Sequence, residues 1–377
     1  MSDSINLTPA ELARYSRHIA IPEFNLAAQK KLKAAKVLVV GSGGLGSPML
    51  LYLTAAGVGH IGIVDFDVVD DSNLQRQVLF TVNDIGQSKA ETAQRRLSQL
   101  NPHVTFKVYN TALTSSNALE IIKDYDVVAD GTDNFPTRYL VNDACVLTDK
   151  VNVYASIFRF EGQVSVFNFL NEDGERGPNY RDIFPSPPPP GMVPSCAEGG
   201  VLGVLPGIIG SMQASEVIKV ITGIGEPLAG RLFLFDAASF TTRILKIKKN
   251  ANTNITELID YDFFCGILPK EKEGQVSVQE LKKMMDAGED FQLIDVREPY
   301  EYEISNLKGE LIPLTSILKN IDKISKDKKV IIHCKSGARS ATAIALLKDE
   351  FPFENLYNLD GGILAFSKEI DASILSY

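Results

Sequence analysis

The sequence predicts an α/β protein of two domains: a Rossmann-like, mainly parallel sheet with an antiparallel extension, followed by a small second α/β domain. Three observations carry this expectation. From 37 to 134, short apolar runs alternate with helix-like stretches, the rhythm of βαβ units. The segment 151–170, VNVYASIFRFEGQVSVFNFL, alternates like antiparallel strands around a turn at Glu161-Gly162. After a polar, aperiodic stretch, an α/β pattern starts again and fills the last hundred residues.

In chain order, KVLVVG is the first strand, with a helix through about Ala56; IGIVDFD is the second, with a helix around 86–100. VTFKVY, a helix around 116–123 and YDVVADGTDN complete the parallel part. FPSPPPPGMVPS (184–195) cannot supply ladder or helix donors at its prolines and reads as an irregular crossing loop. A helix over about 200–221 follows, then strands in RLFLFDAASFTTRILKIK. Loss of periodicity divides the chain into a domain over 1–262, a linker over 263–275 and a domain over 276–377. In the last, FQLIDVRE, KKVIIHCKSG and ENLYNLDGG are strand-plus-turn units between helices.

The bulk numbers agree with a folded, multi-domain chain: 377 residues, 45% hydrophobic and 23% charged. A net charge of -9 without long runs of one sign argues against nucleic acid as a main partner. The start resembles no secretory signal, and the apolar stretch 199–214 is short and glycine-rich, a buried helix and no membrane span. Four cysteines, at 145, 196, 265 and 334, form no CxxC pair. This argues against a disulfide scaffold or a paired-cysteine zinc site, and a reducing, cytoplasmic location is expected.

Gly41, Gly43 and Gly46 of VLVVGSGGLGSP follow a strand and open a helix, where glycines allow a tight turn and backbone N–H groups favour a phosphate. Asp65, at the end of the second strand and 19 residues beyond Gly46, has the spacing of a carboxylate for a ribose hydroxyl. To this point an NAD enzyme and an ATP enzyme fit equally. Arg76 and Lys89, each alone readable as a surface charge, and Asp133 of DGTDN favour ATP. Cations offset charge building on a leaving pyrophosphate, and a carboxylate can hold Mg2+ with its water shell.

GSGGLGSP, DFDVVDDSNLQRQ, GQSKA, DGTDN and the upstream RYSRH resemble the adenylyltransferases related to ubiquitin-activating E1 enzymes that serve sulfur carriers, the MoeB, ThiF and Uba4 type, over about 10–262. The resemblance implies a homodimer whose ATP site uses Gly41, Gly43, Gly44, Gly46, Asp65, Asp67, Asn73, Arg76 and Lys89, with Asp133 positioning Mg2+. It implies that Arg17 of RYSRH reaches into the partner subunit's site. The implied reaction adenylates the C-terminal glycine of a ubiquitin-like carrier and releases pyrophosphate; no side-chain nucleophile is needed for that step.

Cys196, before a glycine-started helix, reads either as a small core residue or as a thiol favoured by the helix dipole. In the resembling family a cysteine in this setting bonds covalently with the carrier. Relatives usually carry two CxxC pairs holding a structural Zn2+; here PNYRDIF has Asn179 and Asp182, and KKNANTNITE has no thiol. No zinc is expected, and what orders the region 172–195 is left open.

In KVIIHCKSGARSAT a strand delivers Cys334 into a loop of small residues whose N–H groups, with Lys335 and Arg339 alongside, favour a thiolate or persulfide. A tyrosine-phosphatase loop is the competing reading, normally one residue longer. The six-residue loop, with LIDVREPYEYEISNLKGELIPL and NLDGGILAF, resembles the rhodanese family over about 276–377, with Asn306 where histidine is common. This implies a persulfide on Cys334, with Asp295, Arg297 and Glu298 either supporting it or forming a salt-bridged turn. The catalytic candidates are therefore Cys334, Cys196, Arg17 and Asp133. The joint reading is adenylation of a MoaD-type carrier and sulfur transfer to its thiocarboxylate in molybdopterin synthesis, the sulfur coming from a cysteine desulfurase or thiosulfate. The rivals are a ThiS-type carrier in thiamine thiazole synthesis and a non-adenylating scaffold that presents the rhodanese domain.

Overall fold

The computed structural model describes residues 6–188, 192, 199–266, 274–371 and 373–374. The chain divides into two compact units after Gly266. In the first, β1 (Lys36–Val40), β2 (His60–Val64), β3 (Thr105–Tyr109), β4 (Val127–Asp130) and β5 (Val151–Phe158) pair in parallel in the order β3-β2-β1-β4-β5. Alternate side chains of β1 enter opposite cores: Val37 and Val39 pack with Met49 and Leu53, Leu38 and Val40 with Val128 and Tyr139. A strand buried on both faces needs apolar residues throughout, which is why KVLVV lacks alternation.

The antiparallel extension adds β6 (Glu161–Phe167), β7 (Arg231–Asp236) and β8 (Thr241–Lys246). Its first turn falls at Arg159-Phe160, two residues before the expected Glu161-Gly162, because Arg159 takes the left-handed conformation (φ 52°) and Glu161 already pairs with Phe158. The long helix Leu205–Thr222 packs on the helix Gly46–Ala56 and begins later than the expected 200. Its buried Gln213 donates to the carbonyls of Asp130 (2.7 Å) and Val153 (2.8 Å), tying β4 to β5.

The region that relatives are expected to hold with zinc is held here by charge and aromatic packing. Asn179 accepts from the Arg181 N–H, and Asp182 accepts from the N–H of Asn179 (2.7 Å) and of Asn250 (2.9 Å), joining segments 68 residues apart. Arg181 makes a two-pronged pair with Asp143 (2.8 and 2.7 Å), a carboxylate that also accepts from the Tyr261 hydroxyl. The same guanidinium lies 4.6 Å from the Phe264 ring centre, and Tyr139 meets Tyr180 and Phe264 edge to face. The short helix Tyr261–Phe264 thus belongs to the first unit. Among the described residues, no three His, Cys, Asp or Glu side chains cluster as metal ligands.

The second unit is a five-stranded parallel sheet of β9 (Gln275–Val276), β10 (Phe291–Asp295), β11 (Glu310–Leu311), β12 (Lys329–His333) and β13 (Leu356–Leu359), in the order β11-β10-β12-β13-β9. Central β12 buries Val330, Ile331 and Ile332. One further core, of Val276, Leu281, Ile331 and Phe366, closes its other face.

Replacing Arg181 by Met leaves the Asp143 carboxylate buried without its cation, which costs roughly 3 kcal/mol. The expected result is a lower urea midpoint for the first unit, followed by tyrosine fluorescence; an unchanged midpoint would show that the pair holds nothing in place.

Candidate functional site

Because β1 has β2 on one side and β4 on the other, connections leave it in opposite directions, and a crevice opens beyond the strand ends. Three strand-end loops line it: Gly41, Gly43 and Gly44 after β1, Asp65 and Asp67 after β2, and Thr132 and Asp133 after β4. The approach is too close for side chains. A Cβ on Gly46 would sit 2.0 Å from the Gly41 carbonyl oxygen, and one on Gly41, whose φ is 88°, would sit 3.0 Å from the Gly131 oxygen. The backbone therefore turns tightly into the helix Gly46–Ala56, with the Ser47 N–H donating to the Gly43 carbonyl (2.8 Å).

Asp65 is buried and braces this turn: its carboxylate accepts from the Ser42 N–H (2.8 Å), the Ser42 hydroxyl (2.7 Å) and the Asp67 N–H (2.9 Å). Lys89 is buried to 5% exposure and its ammonium bonds the Asp67 carboxylate at 2.9 Å. Arg76 reaches the cleft from the segment after β2, with one guanidinium nitrogen on the Ser72 carbonyl (3.2 Å). Asp133 is exposed at the cleft.

Of the expected nucleotide residues, the structure thus brings Gly41, Gly43, Gly44, Asp65, Asp67, Arg76, Lys89 and Asp133 to one cleft, with Gly46 directly beneath the turn. Asn73 lies in the neighbouring turn Asp71–Asn73 and is not among the lining residues; neither is Arg17, exposed on the turn of helix Ser16–Ile19. Cys196 lies outside the described residues.

Among the lining residues that the sequence analysis does not single out are Gln77 and Arg138. Gln77 is buried beside Gly43, and Arg138 is 7% exposed, its guanidinium 5.4 Å from the Tyr154 ring centre and its Nη2 donating to the Thr132 carbonyl (3.3 Å). Burial opposes the Arg138 cation, but Tyr154, Tyr180 and Asp130 more than offset this and hold its pKa above the ordinary range. Beneath it Asp130 is fully buried; burial pushes its carboxyl up, while Arg138 and two bonds from Thr132 oppose the shift. Arg138 stands in the first turns of the helix Phe135–Leu147, and no motif or spacing in the sequence marks it.

In the second unit β12 ends at His333, and Cys334 opens a loop that closes on the helix Ala338–Glu350. The sulfur accepts from the Gly337 N–H (3.1 Å) and the Ser340 hydroxyl (3.5 Å). The loop's outward carbonyls are held by the next helix, Gly362–Glu369: Ile363 N–H donates to Cys334 O (3.0 Å) and Leu364 N–H to Lys335 O (3.1 Å). A Cβ on Gly362 would lie 2.6 Å from the Cys334 oxygen. Arg339 gives both ends of its guanidinium to Glu301 (2.6 and 2.8 Å). Asp295 and Arg297 are fully buried and bonded to each other through Nε and Nη2, with Arg297 also on the Ser305 carbonyl. Glu298 and Glu301 form a reciprocal cap on the helix Pro299–Ile304, and Asn306 bonds Tyr302 and Lys308 within its own turn. Burial holds His333 down to about 4, against the pull of Asp295 at 3.6 Å.

Comparison with known proteins finds a family match for each of these two units. The ThiF family matches residues 15–257, and the Rhodanese-like domain matches residues 277–369. The chain is 49% identical to a probable adenylyltransferase/sulfurtransferase MoeZ of Mycobacterium tuberculosis, over 98% of this chain and 96% of that protein. It is 42% identical to the adenylyltransferase and sulfurtransferase MOCS3 of Drosophila sechellia, over 98% and 86%. Over 69% of its length it is similar to a sulfur carrier protein adenylyltransferase of Thermus thermophilus, at 52% identity over 98% of that protein. Among solved structures, E. coli MccB shares the fold of the first unit, with a TM-score of 0.57 at 22% identity, over 66% of this chain and 75% of that one.

Two outcomes test the geometry. Gly46→Ala drives a methyl group into the Gly41 carbonyl, so ATP binding by equilibrium dialysis should weaken at least about tenfold; wild-type affinity would mean the turn is not the phosphate seat. For His333 the folded pKa is depressed, so the unfolded chain binds the proton first. Stability is then complete above about pH 6.5, is lost as pH falls, and levels off below about 4, a loss of about 3 kcal/mol. Urea titrations at pH 7 and 4.5, read by hydrogen exchange on peptides of β12, should show this loss in the wild type and a much smaller one in His333→Gln.

Proposed function

The chain belongs to the ThiF family and carries a rhodanese-like domain behind it, and on that premise we propose that it activates a ubiquitin-like sulfur carrier with ATP and converts it to a thiocarboxylate. The observation that supports this most is the convergence of Gly41–Gly44, Asp65, Arg76, Lys89 and Asp133 on one cleft at the sheet's switch point. A decayed scaffold has no reason to keep that assembly.

In this reading the carrier's terminal carboxylate attacks the α-phosphorus of ATP; the bond to the bridging oxygen breaks, and pyrophosphate leaves. Asp65, already braced by Ser42, takes the ribose hydroxyls. Arg76 and Lys89 hold phosphate oxygens, Lys89 turning from Asp67 to the nucleotide, and the N–H groups of the glycine turn add fixed dipoles. Arg138, a cation kept at the cleft by aromatic walls, is a third donor for charge on the reacting groups. One exposed carboxylate, Asp133, with phosphate oxygens and water, suits Mg2+, which supplies charge neutralisation when bound. Arg17, which does not line its own cleft, is assigned to the partner subunit's site in a homodimer.

The second unit supplies sulfur. A persulfide on Cys334 attacks the acyl carbon and AMP leaves, giving an acyl disulfide; a thiol, for which Cys196 is our candidate, then cleaves the S–S bond and frees the thiocarboxylate. The disulfide left on the enzyme is reduced by a small cellular thiol. Joining both units in one chain raises the local concentration of sulfur around an adenylate that water would otherwise consume.

The test mixes the protein, Mg-ATP, a persulfide source and a MoaD-type or ThiS-type carrier, and weighs the carrier. Sulfur should replace oxygen at one carrier's C-terminus, and the carrier that reacts identifies the pathway. Cys334→Ser should keep carrier-dependent exchange of pyrophosphate into ATP while losing the sulfur gain. Absence of exchange with every carrier would leave only the scaffold.

A further inference from the structure

We propose that Arg138 is the seat of the carrier's terminal carboxylate. The inference rests on the carrier-activating reading above and deepens it, because it says which side of the cleft receives the second reactant and by which group. Strand order divides the cleft into two flanks. Asp65, Arg76 and Lys89 come from the chain after β2, and the glycine turn after β1 stands in the middle. With the ribose at Asp65 and the phosphates at Arg76 and Lys89, the nucleotide fills that flank and covers the turn. The opposite flank, formed by the chain after β4 and the end of β5, presents Asp133, Thr137, Arg138 and Ile157. Arg138 is the one cation among the described residues that line it.

A buried cation ordinarily has a carboxylate against it, since its desolvation is otherwise uncompensated. Arg138 is buried, yet among the described residues no Asp or Glu forms an ion pair with it: Asp130, beneath it, accepts two bonds from Thr132 instead. Its own partners are neutral, the Thr132 carbonyl on Nη2 and the Tyr180 side chain, and its Nε meets no acceptor. The rings of Phe135 and Tyr154, centred 5.6 and 5.4 Å from the guanidinium carbon, fix the side chain and offset part of the cost. What this flank lacks is a negative charge, and a planar fork of N–H groups suits a carboxylate. In the bound carrier one carboxylate oxygen rests on Arg138. The other forms the bond to the α-phosphorus, while the bond to the bridging oxygen breaks and its electron pair leaves with pyrophosphate. The guanidinium thus orients the nucleophile and takes no proton from it.

The test measures binding of a MoaD-type and a ThiS-type carrier to the full-length protein by fluorescence anisotropy, each carrier intact and as its C-terminal glycinamide. The wild type should bind the intact form of its carrier at least about tenfold more tightly than the amide. Arg138→Gln should bind the two forms within about twofold of each other, while its affinity for ATP by equilibrium dialysis stays within about twofold of wild type. Arg138→Lys keeps the charge without the fork, and the preference should fall to about threefold or less. A preference for the carboxylate that survives in Arg138→Gln overturns the proposal. So does a tenfold loss of ATP affinity with that preference intact, which would give Arg138 to the phosphates. Should Arg138→Gln fail to fold by circular dichroism, Arg138→Lys decides, an undiminished preference overturning the proposal. Failure of the wild type to bind either carrier in either form would sink the carrier-activating reading itself.

Discussion

The nucleotide cleft depends on a place where no side chain stands. The end of β1 and the end of β4 come together through Gly41 and Gly131, and the first turn of the following helix passes so close that Gly46 touches the Gly41 carbonyl region directly. The same turn brings Ser42 to the Asp65 carboxylate. Every charged group of the cleft is then arranged around a backbone wall. Asp65 spends its oxygens on bracing the wall, whereas Lys89 and Asp67 hold each other in the cleft.

The sulfur loop follows the same backbone logic with the opposite charge policy. Close helix packing again turns carbonyls outward and an N–H inward, here onto Cys334. Two pairs of charged side chains in this unit are matched partner to partner: Asp295 with Arg297, Glu301 with Arg339. His333, next to Cys334 in sequence, is kept neutral by burial. A site for a triphosphate needs spare charge; a site that must hold and hand over a single sulfur atom is served by dipoles.

Much of this was legible in the chain because the relevant signals are local. The glycine turn, Asp65 and the Cys334 loop each sit within a strand–turn–helix unit, so position in the sequence implies position in space. The hairpin turn was displaced by two residues because a left-handed Arg159 is not visible in an alternating pattern. Arg138 was missed because the rings beside it, Tyr154 and Tyr180, come from distant elements, and Gln77 because its neighbour Gly43 lies in another strand-end loop. What orders the segment around 179–182 was illegible for the same reason: Asp143, Arg181 and Tyr261 meet across 38 and 118 residues. A pair of cysteines announces a metal site by spacing alone, while an ion pair under aromatic rings announces nothing until the chain has folded.

The helix Gly362–Glu369 bears on biosynthesis as well as on architecture. It grips the carbonyls of Cys334 and Lys335, and it lies downstream of both. Translation delivers the thiol first and its clamp afterwards. In a chain still emerging from the ribosome the carbonyls of Cys334 and Lys335 therefore lack these two donors until that later helix has been made and has docked.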